Sequence, residues 1–325
     1  MELRKLQRTK TGTFFVCLPK EWAEKNGLER GSVVGISETA EGSLLINPKP
    51  SAQRVLREIT LKPSPFLDRE IIGKYLLGYD IIKVESKERI SPEDREKVKR
   101  AATRLVGLEI VEEDYSKIVL QCLLEPSSFP PDKVLRREYA IVASMHRDAV
   151  TALLDADKKL AKNVVARDNE VNRLYFLLVR ILRTVIQNPS LGEKLGIRPI
   201  DCLDYRITSS LVESIGDHSA QLARKVTESK GAKPKQKLAE LIMALHSAIY
   251  DSHETAMKAL FLHDVSLAES VRSLQNKINE LKEKIQQELK HEENAEYFLS
   301  AISHLTRIYE NSIDIADLVI PRLSA

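Results

Sequence analysis

Two acidic residues in the C-terminal half of the chain are the first candidates for chemistry. Glu213 and Asp217 lie four positions apart in the stretch LVESIGDHSAQLARKV, so on a helix they would share one face. Their neighbours Leu211, Ile215 and Leu222 are apolar. Paired carboxylates on the helices of a bundle can bind hard or borderline metal ions. The same spacing suits an exposed acidic face or an ion-pair network, and the spacing alone leaves these interpretations open.

Four cations near the start of the chain are the second candidates. Arg4, Lys5, Arg8 and Lys10 lie among the first ten residues, where Glu2 is the only acid. A hairpin that carries them would present a charged edge to the phosphates of double-stranded DNA, and it could read bases only by entering a groove. Lysines also protect exposed sheet edges, so a solvated edge strand is the alternative interpretation.

The composition limits the classes of protein to consider. The chain has 325 residues, enough for two or three domains, and its net charge of +3 means that any nucleic-acid surface must be a local patch. Cys17, Cys122 and Cys202 lie far apart and indicate neither a disulfide framework nor a metal site. No segment has the roughly 20 apolar residues of a membrane span. We therefore expect a soluble, cytoplasmic protein.

Short strands and turns are predicted for residues 1–50. LRKLQRT and TFFVCLP should form a hairpin around KTG, and PKEWAEKNG should form a short helix. A second hairpin should follow in SVVGISETAEGSLLINP, with its turn near Glu41 and Gly42.

Strands and helices alternate over residues 51–130. REITLK and DIIKVES are predicted strands, and the helix in SPEDREKVKRAATRLVGL should have Ser91 as its N-cap. The alternation predicts a small two-layer α/β domain.

The remaining segment, residues 131–325, is predicted to form about six long helices in two similar halves. Five pairs of identical residues are separated by the same 107 positions, which indicates two copies of one three-helix unit. The pairs are Asp157 and Asp264, Leu160 and Leu267, Ala161 and Ala268, Asn172 and Asn279, and Leu174 and Leu281.

Residues 4–48 resemble the AbrB/SpoVT family of swapped-hairpin proteins. The shared features are the basic first strand, the turn at Gly12, the sequence LPKEW, and Gly27 and Gly31 before an apolar strand. Members form intertwined dimers in which the hairpins of one chain complete the barrel of the other. The resemblance implies a DNA-binding homodimer, or a higher homo-oligomer, with the four cations on the DNA-facing strand.

The helical segment is similar to the PhoU family. The resemblance is carried by DADKKLAKNVVARDNEVNRL and RITSSLVESIGDHSAQLARKV. That family has two three-helix bundles with paired carboxylates, regulates phosphate uptake, and includes members that bind metal clusters through those pairs. The resemblance implies a site for a divalent or trivalent ion (Fe, Zn, Mg or Mn) at Asp168, Glu213 and Asp217 of the first bundle.

The carboxylate pattern of the family is incomplete in this chain. At its other carboxylate positions the chain has Asn172 in the first repeat and Gln275, Asn279, Arg307 and Asn311 in the second. A cation opposes metal binding, so we expect any metal in the first bundle alone. Glu213 and Asp217 could instead pair with an arginine such as Arg206 and bind no metal. His146 and His218 could assist, although lone helical histidines are more often surface or core residues.

Together these features predict a multidomain protein with three parts. They are an AbrB-like β-rich swapped-hairpin domain (1–50), a small α/β connector (51–130) and an all-α PhoU-like pair of three-helix bundles (131–325). We expect a DNA-binding regulator of phosphate uptake. The alternative is an adaptor that docks on a phosphate transporter or signalling protein, with the N-terminal domain only dimerising. An enzyme is not expected, since no nucleophile, general base or complete metal set is visible.

Overall fold

The structure, a computed structural model, describes residues 2–38, 42–48 and 56–321. The chain divides into two units, residues 1–56 and residues 57–325. The α/β segment and the helical segment, separate domains in the sequence-based prediction, both lie in the second unit.

The N-terminal unit consists of two short strand pairs and one helix. Its elements are β1 (Gln7–Arg8), β2 (Phe14–Phe15), α1 (Lys20–Lys25), β3 (Gly35–Glu38) and β4 (Leu44–Asn47). Both strand pairs are antiparallel, as predicted, but the first has only two residues in each strand. Gly12 has a φ of +98° in the first turn, a conformation that favours glycine. Glu41, in the predicted second turn, lies outside the described residues.

The α/β layer has the predicted alternation. It contains β5 (Glu58–Leu61), α2 (Leu67–Leu76), β6 (Ile81–Glu85), α3 (Pro92–Thr103), β7 (Leu108–Glu113) and β8 (Lys117–Cys122). The sheet order is β5-β6-β8-β7, with β5 and β6 parallel and the other pairs antiparallel. Ser91 caps α3 as predicted, because its Oγ accepts a hydrogen bond of 3.1 Å from the amide of Asp94. Leu67, Ile71 and Ile82 are buried between the helices and the sheet.

The two repeats form two helical bundles. The first contains α4 (Pro131–Asp155), α5 (Lys158–Gln187) and α7 (Asp201–Glu228), and the second contains α8 (Gln236–Leu262), α9 (Val265–Ser273), α10 (Gln275–Leu289) and α11 (Ala295–Asp317). A short helix, α6 (Pro189–Leu195), lies between α5 and α7. Pro189 at its start and the left-handed Gly196 at its end account for it.

The repeated aspartates have one structural role in both bundles. The Asp157 carboxylate accepts a 2.8 Å hydrogen bond from the Lys159 amide at the start of α5. The Asp264 carboxylate accepts one of 3.1 Å from the Leu267 amide at the start of α9. The preceding helices, α4 and α8, also end alike. The residues that follow them, Ala156 and His263, both have a left-handed backbone conformation. The aspartate of the shared D-x-x-L-A sequence is therefore the N-cap of a helix in both repeats.

The bundles pack against each other through α4 with α8 and α7 with α11, and the α/β layer contacts α5 through α2. Gly216 allows α7 to approach α4 closely, because a Cβ there would lie 3.1 Å from Val142 Cγ2. Within the described residues, no helix has the combined length and apolarity needed to cross a membrane.

Candidate functional site

The three carboxylates singled out in the sequence interact with one another in the first bundle. Asp168 comes from α5, and Glu213 and Asp217 come from one face of α7. Burial and the neighbouring charges of Asp217 and Asp168 raise the pKa of Glu213 to about 7, against the effect of Arg206. Burial and the charge of Asp217 also raise the pKa of Asp168. The structure thus brings the predicted residues together as a repulsive acidic cluster.

Arginines supply the positive charge beside this cluster. A guanidinium nitrogen of Arg224, on α7, lies 3.3 Å from Oδ2 of Asp168 and opposes the rise in its pKa. Arg206 stacks over the ring of Tyr175 at 4.8 Å. In the described part of the chain, no three His, Cys, Asp or Glu side chains are arranged to hold a metal ion. As placed here, the carboxylates therefore do not form a coordination shell.

The corresponding positions of the second bundle carry amides and one cation. Gln275 donates a 3.0 Å hydrogen bond to Asn279, and Arg307 pairs with Glu310 at 2.7 Å. Asn311 donates to Ser214 Oγ of α7 at 2.9 Å. Gln275 and Asn279 therefore bond to each other, Arg307 bonds within its own helix, and Asn311 bonds to the first bundle.

All four N-terminal cations are exposed. Arg4 pairs with Glu2, and Arg8 lies over the ring of Phe14 at 5.4 Å and donates to the carbonyl oxygen of Gly12 at 3.4 Å. Arg8 is therefore held against the turn that joins β1 and β2.

The N-terminal unit also exposes much of its apolar surface. Helix α1 buries none of its residues within the chain. Several large apolar side chains are exposed, at fractions from 38% to 81%. They are Leu3, Leu6, Phe14, Phe15, Val16, Val33, Ile36, Leu44 and Leu45. A unit this small needs a further apolar partner to form a proper core.

A chain of buried histidines joins the two bundles, and the sequence-based prediction missed it. Nδ1 of His146 on α4 lies 3.0 Å from Nε2 of His253 on α8, and Nε2 of His146 lies 3.2 Å from Nδ1 of His246. The Tyr139 hydroxyl lies 2.8 Å from Nδ1 of His253. Burial, the first cause in each case, lowers the pKa of His246 to about 4 and of His253 to about 3.

The repeat spacing could have predicted this chain of histidines. His253 lies 107 positions after His146, and His246 lies at the same distance after Tyr139. Tyr139 in the first repeat corresponds to His246 in the second, and His146 corresponds to His253. The contact between Tyr139 and His253 is therefore the repeat equivalent of the contact between His246 and His146. His218 and His304 make a second contact between the bundles, with their Nδ1 atoms 3.3 Å apart.

A second missed residue is Glu138, whose side chain is fully buried in the first bundle. One carboxyl oxygen accepts a 2.7 Å hydrogen bond from Ser209, and the other has no partner among the described residues. Burial raises its pKa well above the ordinary range, and the nearby Glu213 adds to this. The sequence could have indicated this burial, because Glu138 lies between Leu135 and Val142 on the apolar face of the helix.

Comparisons with known proteins agree with this architecture. Residues 135–226 match the family model of the PhoU domain, and residues 7–54 match that of "Antidote-toxin recognition MazE, bacterial antitoxin". Neither model describes a catalytic family. No curated protein matches the chain.

Two solved structures are also similar. PhoU from Pseudomonas aeruginosa has a TM-score of 0.52 and 21% identity, over 58% of this chain and 93% of its own. The phosphate transport system regulatory protein PhoU from Streptococcus pneumoniae has a TM-score of 0.48 and 20% identity, over 58% of this chain and 91% of its own. The expected PhoU-like helical fold and the MazE/AbrB-like N-terminal segment are confirmed.

Proposed function

We propose that this chain, which joins a PhoU-type helical domain to a MazE/AbrB-type N-terminal segment, is a DNA-binding regulator of phosphate uptake. The observation that carries the proposal is the placement of four exposed cations, two just before the MazE/AbrB-type segment and two at its start. As a regulator that acts on DNA, it would work in the cytoplasm.

The exposed apolar side chains of the N-terminal unit support a homodimer as the DNA-binding form. Leu6 and Leu44 are 65% and 68% exposed in one chain, and their burial against a second copy would be favourable. A dimer would also double the number of cations, which strengthens attraction to the phosphate backbone.

The carboxylate cluster of the first bundle supports a sensing role for the helical domain. Glu213 has a pKa of about 7, so its charge responds to changes close to neutral pH and to any cation that approaches. A bundle with two arrangements could change the affinity of the dimer for DNA only if the effector binds one arrangement better. A metal ion at Asp168, Glu213 and Asp217 is proposed as one such effector.

The direct test is DNA binding by the full chain in cells and in solution. Immunoprecipitation of bound DNA, with and without phosphate in the medium, should recover fragments near genes of phosphate uptake. In solution, replacing Arg4, Lys5, Arg8 and Lys10 with Ala should flatten the slope of log affinity against log salt. The expected change is up to about 0.9 for each DNA phosphate that the variant no longer neutralises.

A matched variant controls for the loss of four charges. Lys158, Lys159, Lys162 and Lys258 are exposed on helices of the second unit. Their replacement with Ala should leave the salt slope unchanged. Equal slopes for the wild type and the N-terminal variant would contradict DNA binding through these cations and favour an adaptor that only dimerises through its N-terminal unit.

A further inference from the structure

A cavity of about 490 Å³ lies where the α/β layer meets the first bundle. Its walls come from the loop after α3, from the linker that precedes α4, and from α4 and α5. The volume falls within the range of small-molecule sites in proteins, about 300–1,000 Å³. The carboxylate cluster of the first bundle contributes none of the residues that line it.

The inner wall of the cavity is apolar. Val106 and Phe129 contribute from the α/β side and the linker, and Val134, Leu174 and Leu177 contribute from α4 and α5. A ligand that fills this space must therefore have an apolar or aromatic body, because polar groups placed there would lose their hydration.

The charged residues of the lining are three cations and one acid. Arg137 pairs with Glu170 at 2.9 Å. Among the described residues, neither Lys133 nor Arg173 has a carboxylate within ion-pair distance. The cavity therefore has a surplus of positive charge, and guanidinium and ammonium groups in this setting favour phosphate oxygens.

We propose that this cavity binds a nucleotide, with the base against the apolar wall and the phosphate at Lys133 and Arg173. A phosphate ion alone would leave the apolar wall empty, and a nucleoside alone would leave both cations unpaired. Because the walls come from the α/β layer and the bundle, a bound nucleotide would hold these two parts together.

Isothermal titration calorimetry on the full chain tests the proposal with AMP, ATP and GTP. At least one of them should bind, and it should bind at least about tenfold more tightly than adenosine, guanosine or inorganic phosphate. Binding that inorganic phosphate matches would overturn the proposal in favour of a simple anion site. The absence of heat with all three nucleotides at millimolar concentration would also overturn it.

Substitutions locate the site. Both Lys133 and Arg173 are exposed, so Lys133→Gln and Arg173→Gln should preserve the fold, and each should weaken nucleotide binding about tenfold because a charged hydrogen bond is removed. Lys158→Gln and Lys162→Gln, on the same bundle outside the cavity, serve as matched controls and should bind as the wild type does. Equal weakening by the control variants, or none by either cavity variant, would place the nucleotide elsewhere.

Discussion

Arg180 of α5 and Asp80, which precedes β6, form an ion pair that is closed to solvent. Their side chains are 2% and 3% exposed, and Nη2 lies 3.1 Å from Oδ1. The other terminal nitrogen of Arg180 donates to the carbonyl oxygens of Tyr75 and Tyr79 at 2.6 and 2.8 Å. The second Asp80 oxygen accepts from the amide of Arg57 at 3.0 Å. This network ties the α/β layer to the first bundle and explains why the two form one unit.

Arg180→Met should destabilise the second unit by about 3–5 kcal/mol, because it leaves the carboxylate of Asp80 buried without its cation. Urea unfolding at neutral pH measures the loss. Adding Asp80→Asn should recover part of it, since the amide oxygen can still accept from Arg57. The exposed Arg183→Met is the control, and a loss as large there would show that the effect does not come from the buried pair.

Glu138→Gln should stabilise the protein at neutral pH. Burial raises the pKa of Glu138 in the folded state, so the folded state holds this proton more firmly than the unfolded state does. The resulting stability is present below the unfolded pKa of about 4.5 and is lost as the pH rises through the folded value, at about 1.4 kcal/mol for each pKa unit.

Thermal unfolding of the wild type and Glu138→Gln at several pH values checks this expectation. The two proteins should be similar near pH ~4.5, and the variant should be more stable at about pH 7. Glu228→Gln, at an exposed position, should show no such divergence. A variant less stable than the wild type at neutral pH would mean that the carboxylate itself is needed there.

The histidine chain should make the protein less stable in mild acid. The folded pKa values of His146, His246 and His253 are all lowered, so these side chains are neutral when folded. The unfolded state takes up protons below its pKa of about 6.5, and stability is lost as the pH falls from there towards about 4. The charges of Arg147 and Asp251 act on His246 in opposite directions.

The expected slope is up to about 1.4 kcal/mol per pH unit for each histidine, since each binds one proton on unfolding. His253→Gln should reduce the number of protons bound on unfolding between about pH 6.5 and 4.5 by about one, and the slope should fall accordingly. The control is His291→Gln, because His291 is exposed and its replacement leaves the buried histidine chain intact. Identical slopes for the wild type and His253→Gln would show that the buried chain already carries a proton when folded.

The exposed apolar residues of the N-terminal unit should lie in a dimer interface. Sedimentation of the full chain should give a dimer, and a double variant, Leu6→Glu and Leu44→Glu, should shift it towards the monomer because charge would be buried at the interface. Phe66→Glu changes a residue of the second unit that is 67% exposed and should leave the dimer intact. A wild-type monomer at micromolar concentration would contradict the intertwined arrangement.

A metal ion at Asp168 should compete with Arg224. A cation at Asp168 must displace the guanidinium 3.3 Å away, so Arg224→Gln should increase the metal content of the purified protein. The double variant Glu213→Ala and Asp217→Ala should abolish that metal, and Arg307→Gln in the second bundle should not restore it. Elemental analysis gives the stoichiometry, and metal that persists in the double variant would place the site elsewhere.

The sequence was most informative where a pattern was local or repeated. The 107-residue spacing predicted the two bundles, and the four-residue spacing correctly placed Glu213 and Asp217 on one face of α7. The contact between Asp168 and Arg224 was not predictable, because it depends on how α5 and α7 are rotated against each other. His146 gave no signal by itself, since its meaning depends on a partner in the other repeat.

Tyr139 and His246 occupy equivalent positions in the two repeats, and this difference shows a benefit of joining both copies in one polypeptide. Two identical chains meeting across a symmetry axis would have to place the same side chain at both positions. Covalent linkage allows the two halves to differ, so a tyrosine can end the histidine chain on one side only. It also makes the association of the halves intramolecular, and dilution of the protein in a growing cell cannot separate them.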